Sequence, residues 1–342
     1  MNDDCIKLTT YFGERSTSGA GFFADALLDL YGRHAIESSI LLRGVQGFGL
    51  KHRWRSDQQL TMSEDLPMTA IAVDRKTKID GLLDEVFEIE PHGLLTLERC
   101  RMLTGAIASV PLPEELHEAT KLTIYVGRRE RIFRVPTFVA VCDLLHRRGV
   151  DGASVLLGVD GTVRGNRERA RFFDRNVDVP MMIIAVGAGE RIGAVLPELG
   201  ALLREPLITL ERVRVCKRDG ELIERPHALP GVDERGCPLW QKLMVYTSES
   251  ALYRGRPIHR ELISRLRRTD GTRGATALRG IWGFHGDHPP HGDRLFQLAR
   301  RVPISTIIVD TPARIAAAFD IVDELTTEHG LVTTEMVPAL SS

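Results

Sequence analysis

The sequence predicts an α+β protein in which a ferredoxin-like sandwich, ordered β-α-β-β-α-β, is repeated three times. Two observations carry this. A glycine turn that follows an apolar strand-like run returns three times, in step with three other anchors. Within each copy, strand-like runs then alternate with stretches of helical spacing. A chain of 342 residues is long enough for two or three domains.

The turn is clearest at Leu41 to Gly49, LLRGVQGFG, with Gly44, Gly47 and Gly49. It returns as ALRGIWGFHG from Ala277 and, worn, as VLLGVDG from Val155, which keeps Gly158 and Gly161. Each unit opens on a strand-like run, KLTTYFGE from Lys7, KLTIYVGR from Lys121 and KLMVYTSE from Lys242. After the turn come DLPMTAIAVD, DVPMMIIAVG and RVPISTIIVD, and the units close on LLTLERC, LITLERV and LVTTEMV. Lys7 to Gly44, Lys121 to Gly158 and Lys242 to Gly280 are separated by 37, 37 and 38 residues. From those glycines to Pro67, Pro180 and Pro303 the separations are 23, 22 and 23. Four anchors held in step three times establish a threefold repeat.

In unit one, Ile6 to Phe12 reads as a strand, and Phe22, Phe23, Ala26, Leu27, Leu30 and Tyr31 give one apolar helical face. Ser39 to Arg43 runs into the turn. Strand Met68 to Val73, a helix through Ile79, Leu82, Leu83, Val86 and Phe87, and strand Leu94 to Met102 complete it. Unit two predicts strands at 121–126, 153–157, 180–186 and 207–215 with helices near 135–148 and 190–203. Unit three predicts strands at 242–247, 275–279, 303–309 and 331–337 with helices near 257–267 and 312–327. Two helices per unit cover one face of a four-stranded sheet, so the other face must find a partner, which tandem copies supply. The boundaries are 1–103 for unit one, 119–216 for unit two and 240–338 for unit three. Segments 104–118 and 217–239, rich in Pro, Gly and charge, read as linkers.

A net charge of −1 gives no global field toward nucleic acid, and no nucleic-acid partner is expected. No run approaches the length of a membrane span, so an integral membrane protein is not expected, and the acidic start without an apolar signal core points to a cytoplasmic location. Five cysteines, odd in number and without a CxxC pair, argue against a disulfide framework. Cys142 reads as a small buried hydrophobe. No GxSxG, Walker loop, HExxH or Cys-His arrangement is present, so no catalytic residue is assigned and the chain reads as non-enzymatic.

The KLxxYxGE opening, the LRGxxGFG turn, the SEDLPxxxxxVD strand and the LxTLExxxV ending resemble the PII-like domain family known as Domain of Unknown Function 190. Unit one carries Arg43, Gly44, Gly47, Phe48, Gly49, Glu64, Asp65, Leu66, Pro67 and Asp74 of that pattern. Unit three carries Arg279, Gly280, Gly283, Phe284, Pro303 and Asp310. Unit two departs with Leu157, Thr162 and Gly187 at the positions of Arg43, Phe48 and Asp74. The family resembles PII signalling proteins, ferredoxin-like homotrimers that bind adenine nucleotides between subunits and move a long loop to regulate transporters or enzymes. The resemblance implies three units packed as an intramolecular pseudo-trimer, with ATP, ADP, AMP or cyclic AMP as the candidate ligand. It further implies a membrane transporter or a cytosolic enzyme as the partner.

The residues themselves bear on that expectation. Arg43 and Arg279 stand beside paired glycines, where a guanidinium and open backbone N–H groups suit a small anionic ligand. Alternatively the arginines make interface salt bridges and the glycines permit a bulge. Gly158 and Gly161 offer unit two a degenerate version. Asp74 and Asp310 would either bond a ribose or cap the following helix. The excursions after the turns are basic with aromatics, Lys51, His52, Arg53, Trp54 and Arg55 in unit one. In unit two they are Arg164, Arg167, Arg169, Arg171 and Arg175 around Phe172 and Phe173. They read as partner loops or as solvated loops. His285, His288 and His291, with Asp287 and Asp293, are a remote candidate for a metal module. Two further readings stand beside the nucleotide sensor: a ligand-free interaction scaffold, and that metal module.

Overall fold

A computed structural model of the chain describes residues 4–19, 21–49, 55–57, 65–89, 93–105, 107, 119–169, 179–227, 230–232, 238–269, 272–286, 288–292 and 302–341. It is mixed α+β, rich in sheet, with six helices among those residues. These are α1 (Phe23–Arg33), α2 (Lys76–Ile89), α3 (Thr137–Arg147), α4 (Gly189–Leu202), α5 (Ile258–Arg268) and α6 (Pro312–Leu325).

Each unit is a four-stranded antiparallel sheet. In unit one, strand Asp4–Gly13 lies between Pro67–Arg75, with Leu8 opposite Ala72, and Leu94–Thr104, with Leu8 opposite Leu97. Strand Ser38–Arg43 pairs on the outer side of Pro67–Arg75. The same order recurs in units two and three. Side chains alternate across a strand, so each strand serves two layers. Ile6, Leu8 and Phe12 face α1 and α2, where Leu27, Leu28, Tyr31, Ile79, Leu82 and Val86 meet them. Cys5, Lys7, Thr9 and Tyr11 take the opposite face. Both faces are buried, so a strand such as Pro180–Gly187, PMMIIAVG, reads as a nearly unbroken apolar run.

The opposite faces of the three sheets meet one another. Cys5, Ile40 and Val73 of unit one pack with Tyr125, Met182 and Ile184 of unit two and with Trp240, Met244 and Ile307 of unit three. Two cyclic sets of strand pairs bind the units at their edges. The closing strands pair in turn: Leu94–Thr104 with Leu207–Arg212, Arg214–Arg218 with Leu331–Ser341, and Leu331–Ser341 with Leu94–Thr104. The short strands of the glycine turns form the second set. Gln46–Phe48 pairs with Ala275–Arg279, Asp160–Val163 with Ser38–Arg43, and Trp282–His285 with Gly152–Leu157.

The segment between units two and three begins with a hairpin. Lys217 and Arg218 form a hairpin with Glu221–Leu222, and Lys217 is buried against Asp323.

Candidate functional site

The glycine turns sit on the seams between units, and their backbone amides are already used. Gly44 N–H donates to Pro67 O (2.7 Å) and Val45 N–H to Ala277 O of unit three (2.9 Å). Gly158 and Val159 donate to Pro180 O and to Leu41 O of unit one, and Gly280 and Ile281 to Pro303 O and Val155 O of unit two. A Cβ on Gly44 would lie 2.7 Å from the Pro67 ring, and one on Gly47 2.5 Å from Ala275 O. At Gly161 and Gly283 a Cβ would overlap the Ser39 and Ala153 carbonyls. These glycines therefore let one unit's turn lie against the next unit's strand. They do not present an open cradle of donors. Of the turn glycines, Gly49 and Gly286 have open space where a side chain would be.

The aromatic of the turn is likewise a packing element. Phe48 is buried in the core of unit three with Leu262, Ile258 and Ala275. Phe284 enters the core of unit two and meets His146 edge to face at 5.1 Å. In unit two Thr162 replaces the aromatic and hydrogen-bonds the Ile36 carbonyl and the Ser39 hydroxyl. Asp74, buried, accepts from Glu37 N–H (2.9 Å) and Arg75 N–H (2.7 Å), and Lys78 pairs with it at 2.9 Å. Asp310 accepts from Arg273 N–H and Thr311 N–H in the same manner. Both tie a strand end to the loop after the first helix. Neither carboxylate faces open space for a ribose, and the helix-capping expectation is met only at a neighbouring backbone amide.

The arginines differ. Arg43 is exposed and paired with Glu14 at 2.9 Å. Arg279 lies on the seam of units one and three, between Asp57 (3.1 Å) and Glu249 (2.6 Å). Its buried Nε, Glu249 Oε2 and Nδ1 of the buried His259 have no hydrogen-bond partner among the described residues. Burial, with Arg260 and Arg279, pushes His259 down to about 4. Arg167 does not reach outward but grips unit one: it pairs with Asp160 (2.7 Å), Asp25 (3.5 Å) and Asp29. Arg164 pairs with Glu205 and Arg55 with Asp65. Lys51, His52, Arg53, Trp54, Arg171, Phe172, Phe173 and Arg175 lie outside the described residues, as do Glu64, Asp287 and Asp293. The three histidines do not converge. His285 bonds Asp219 at 2.5 Å, and His291 Nδ1 lies 3.0 Å from Pro289 O.

The most concentrated chemistry lies where the three sheets meet. Lys7, Lys121 and Lys242, the opening residues of the units, interleave there with Glu98, Glu211 and Glu335 of the closing strands. Lys7 holds Glu98 (2.7 Å) and Glu211; Lys121 holds Glu211 (2.6 Å) and Glu335 (2.5 Å); Lys242 holds Glu335 (3.4 Å) and Glu98 (3.0 Å). Each lysine thus bridges the glutamate of its own unit and that of the next, and the cycle closes. Burial alone would drive the Glu98 carboxyl upward, but Lys242, Lys7 and Lys121 outweigh it and hold it well below the usual range. Burial likewise pulls Lys7 down, and Glu211, Glu98 and Glu335 overcome it to keep the amine well above its ordinary value. The three carboxylates are the one group among the described residues near enough together to hold a cation, and three ammonium groups already occupy that role. The signal was in the sequence as a lysine and a glutamate recurring inside apolar strands. It served there only as an anchor of the repeat.

A model of the DUF190 family, described as an uncharacterized ACR, matches three times, at residues 5–102, 119–215 and 240–339. The chain belongs to the DUF190 family. Its copies of the DUF190 domain coincide with the three structural units. The chain is also similar to a UPF0166 protein of Aquifex aeolicus (strain VF5), 30% identical over 99 residues, which is 29% of this chain and 90% of that relative. No helix among the described residues is long and apolar enough to cross a membrane.

Proposed function

We propose that this DUF190 chain is a non-enzymatic, PII-like regulatory protein. Its three units are ferredoxin-like sandwiches closed into a pseudo-trimer within one polypeptide. The observation that carries the reading is the cycle of six charges, five of them buried and Glu335 partly so, in which each lysine is shared between its own unit and the next. Such a cycle is satisfied only when three units face one axis, which is how a homotrimer would be built from separate chains. A partner transporter or enzyme would meet the segments that follow the glycine turns.

The ligand would bind at the seam of units one and three, since the glycine amides are already engaged. Arg279, whose own buried Nε lacks a partner among the described residues, as does the nearby His259 Nδ1, is the best-built anion-binding feature for an adenine nucleotide phosphate. A phosphate there would displace Glu249 or Asp57 from the guanidinium, so ligand entry would loosen the seam and shift the loops. The rival reading, a ligand-free interaction scaffold, is favoured by the occupied turn amides. A thermal-shift screen of the full chain with ATP, ADP, AMP and cyclic AMP separates them. Ligand at about 100 times its Kd stabilises the native state by about 2.7 kcal/mol. A shift with one nucleotide that Arg279→Ala abolishes supports the sensor. No shift at millimolar nucleotide rejects it in favour of the scaffold.

A further inference from the structure

A short hairpin joins the first strand to the first helix in every unit: Thr17–Ser18 with Gly21–Phe22, Arg131–Ile132 with Val135–Pro136, and Leu252–Tyr253 with Arg256–Pro257. All three leave the strand ends that pair with Pro67, Pro180 and Pro303, the prolines whose carbonyls receive the glycine-turn amides. The hairpins therefore share one end of the ring. Each exposes a large apolar side chain there: Phe22 at 57%, Leu252 at 54%, and Phe133 at 96% with Val135 at 41%.

The three turns are not built alike, and the difference is informative. Backbone with positive φ suits glycine; unit one places Gly19 (58°) in its turn, and unit three places Arg254 (49°) and Gly255 (79°). Unit two places Phe133 (46°) and Arg134 (73°) there, so it differs from unit three in holding an arginine where unit three has Gly255, and both of its turn residues lie in a region that non-glycine residues rarely adopt. An aromatic held in a strained turn and touching almost nothing of its own protein is unexplained by folding. Arg128, Arg129, Arg131 and Arg134 of the same segment are all exposed. Glu130 accepts its own Gly127 N–H and lies 3.7 Å from Arg164. Arg131 donates to the carbonyls of Arg128 and Glu130, contacts that leave its charge in place.

We propose that this end of the ring docks on an anionic lipid surface, with Phe133 inserted among the headgroups and the flanking arginines on the lipid phosphates. An aromatic tip inside a basic collar is complementary to that interface. Apolar tips set around a ring fit a broad flat surface better than a single pocket. Each contact alone is weak, and Phe22 and Leu252 add to Phe133 as linked sites do.

The test is co-sedimentation of the full chain with vesicles of phosphatidylcholine containing phosphatidylglycerol, and with phosphatidylcholine alone. Association with the anionic vesicles only, weakening as salt is raised, is expected. Phe133→Ser should lower the partition about tenfold, on the area an inserted phenyl ring buries. Phe133→Leu should recover most of it. Arg131→Glu with Arg134→Glu should abolish it, and Phe87→Ser, at an exposed aromatic of α2, should leave it unchanged. Unaltered melting temperatures would exclude misfolding as the cause. No association with anionic vesicles, equal association with neutral ones, or binding indifferent to Phe133→Ser overturns the proposal.

Discussion

Replacing Glu98 by Gln tests the buried cycle most directly. Glu98 receives Lys7 at 2.7 Å and both oxygens receive Lys242 at 3.0 Å, while the Thr9 and Thr96 hydroxyls donate at 3.2 and 3.1 Å. The amide keeps the shape but removes one negative charge, leaving three ammonium groups to two carboxylates in a site closed to water. Breaking a buried pair in this way costs about 3–5 kcal/mol, because a charge is left without a partner. With an unfolding entropy of about 2.1 cal/mol/K per residue, a 342-residue chain that unfolds as one body loses roughly 4–7 °C of melting temperature. Removing the opposite charge as well, in Glu98→Gln with Lys242→Met, restores neutrality and should recover part of that loss. The assay is thermal unfolding by circular dichroism across the double-mutant cycle. A single-variant shift within about 1 °C, or strictly additive effects, would refute the claim that the six charges act together.

Other expectations follow from the same geometry. Glu98 is held below its ordinary 4.5 and Lys7 above its ordinary 10.5, so the cycle's contribution is complete between those values. It is lost as pH falls through the depressed carboxyl and as pH rises through the elevated amine; melting curves on the acid side should flatten in Glu98→Gln. His259, pushed from 6.5 to about 4, stays neutral when folded while the unfolded chain takes up a proton, so stability should fall as pH drops through that window. His259→Gln should remove that slope. Phe48→Ala empties an aromatic from the core of the neighbouring unit and should cost about 3–5 kcal/mol, read as a lower urea midpoint. Gly161→Ala drives a methyl into the Ser39 carbonyl and should loosen the seam of units one and two, seen as faster hydrogen exchange along Ser38–Arg43.

The repeat was legible in the chain because each unit carries its own strand and helix periodicities at the same offsets. Ile6 to Phe12, the face of Leu27 and Tyr31, and Leu94 to Met102 all lie within elements of the expected kind. The glycine turn was legible as a place that needs glycine. Its purpose was not, because a close approach to a ligand and a close approach to another strand demand the same missing Cβ. Only the partner identifies which applies, and here it is the Ala275, Ser39 or Ala153 carbonyl of the adjacent unit. The same ambiguity holds for Phe48, Arg167 and Asp74: an aromatic, a guanidinium or a carboxylate beside a turn suits a ligand or an interface equally.

What the sequence determined by itself is therefore local and periodic: three units, their strand and helix order, and the positions where backbone must pass close to something. What only the tertiary structure decided is which groups meet across units. Lys7 and Glu211 are 204 residues apart, and no spacing rule links them. Their pairing depends on three twisted sheets turning their second faces inward together, where a charge survives burial only beside its opposite.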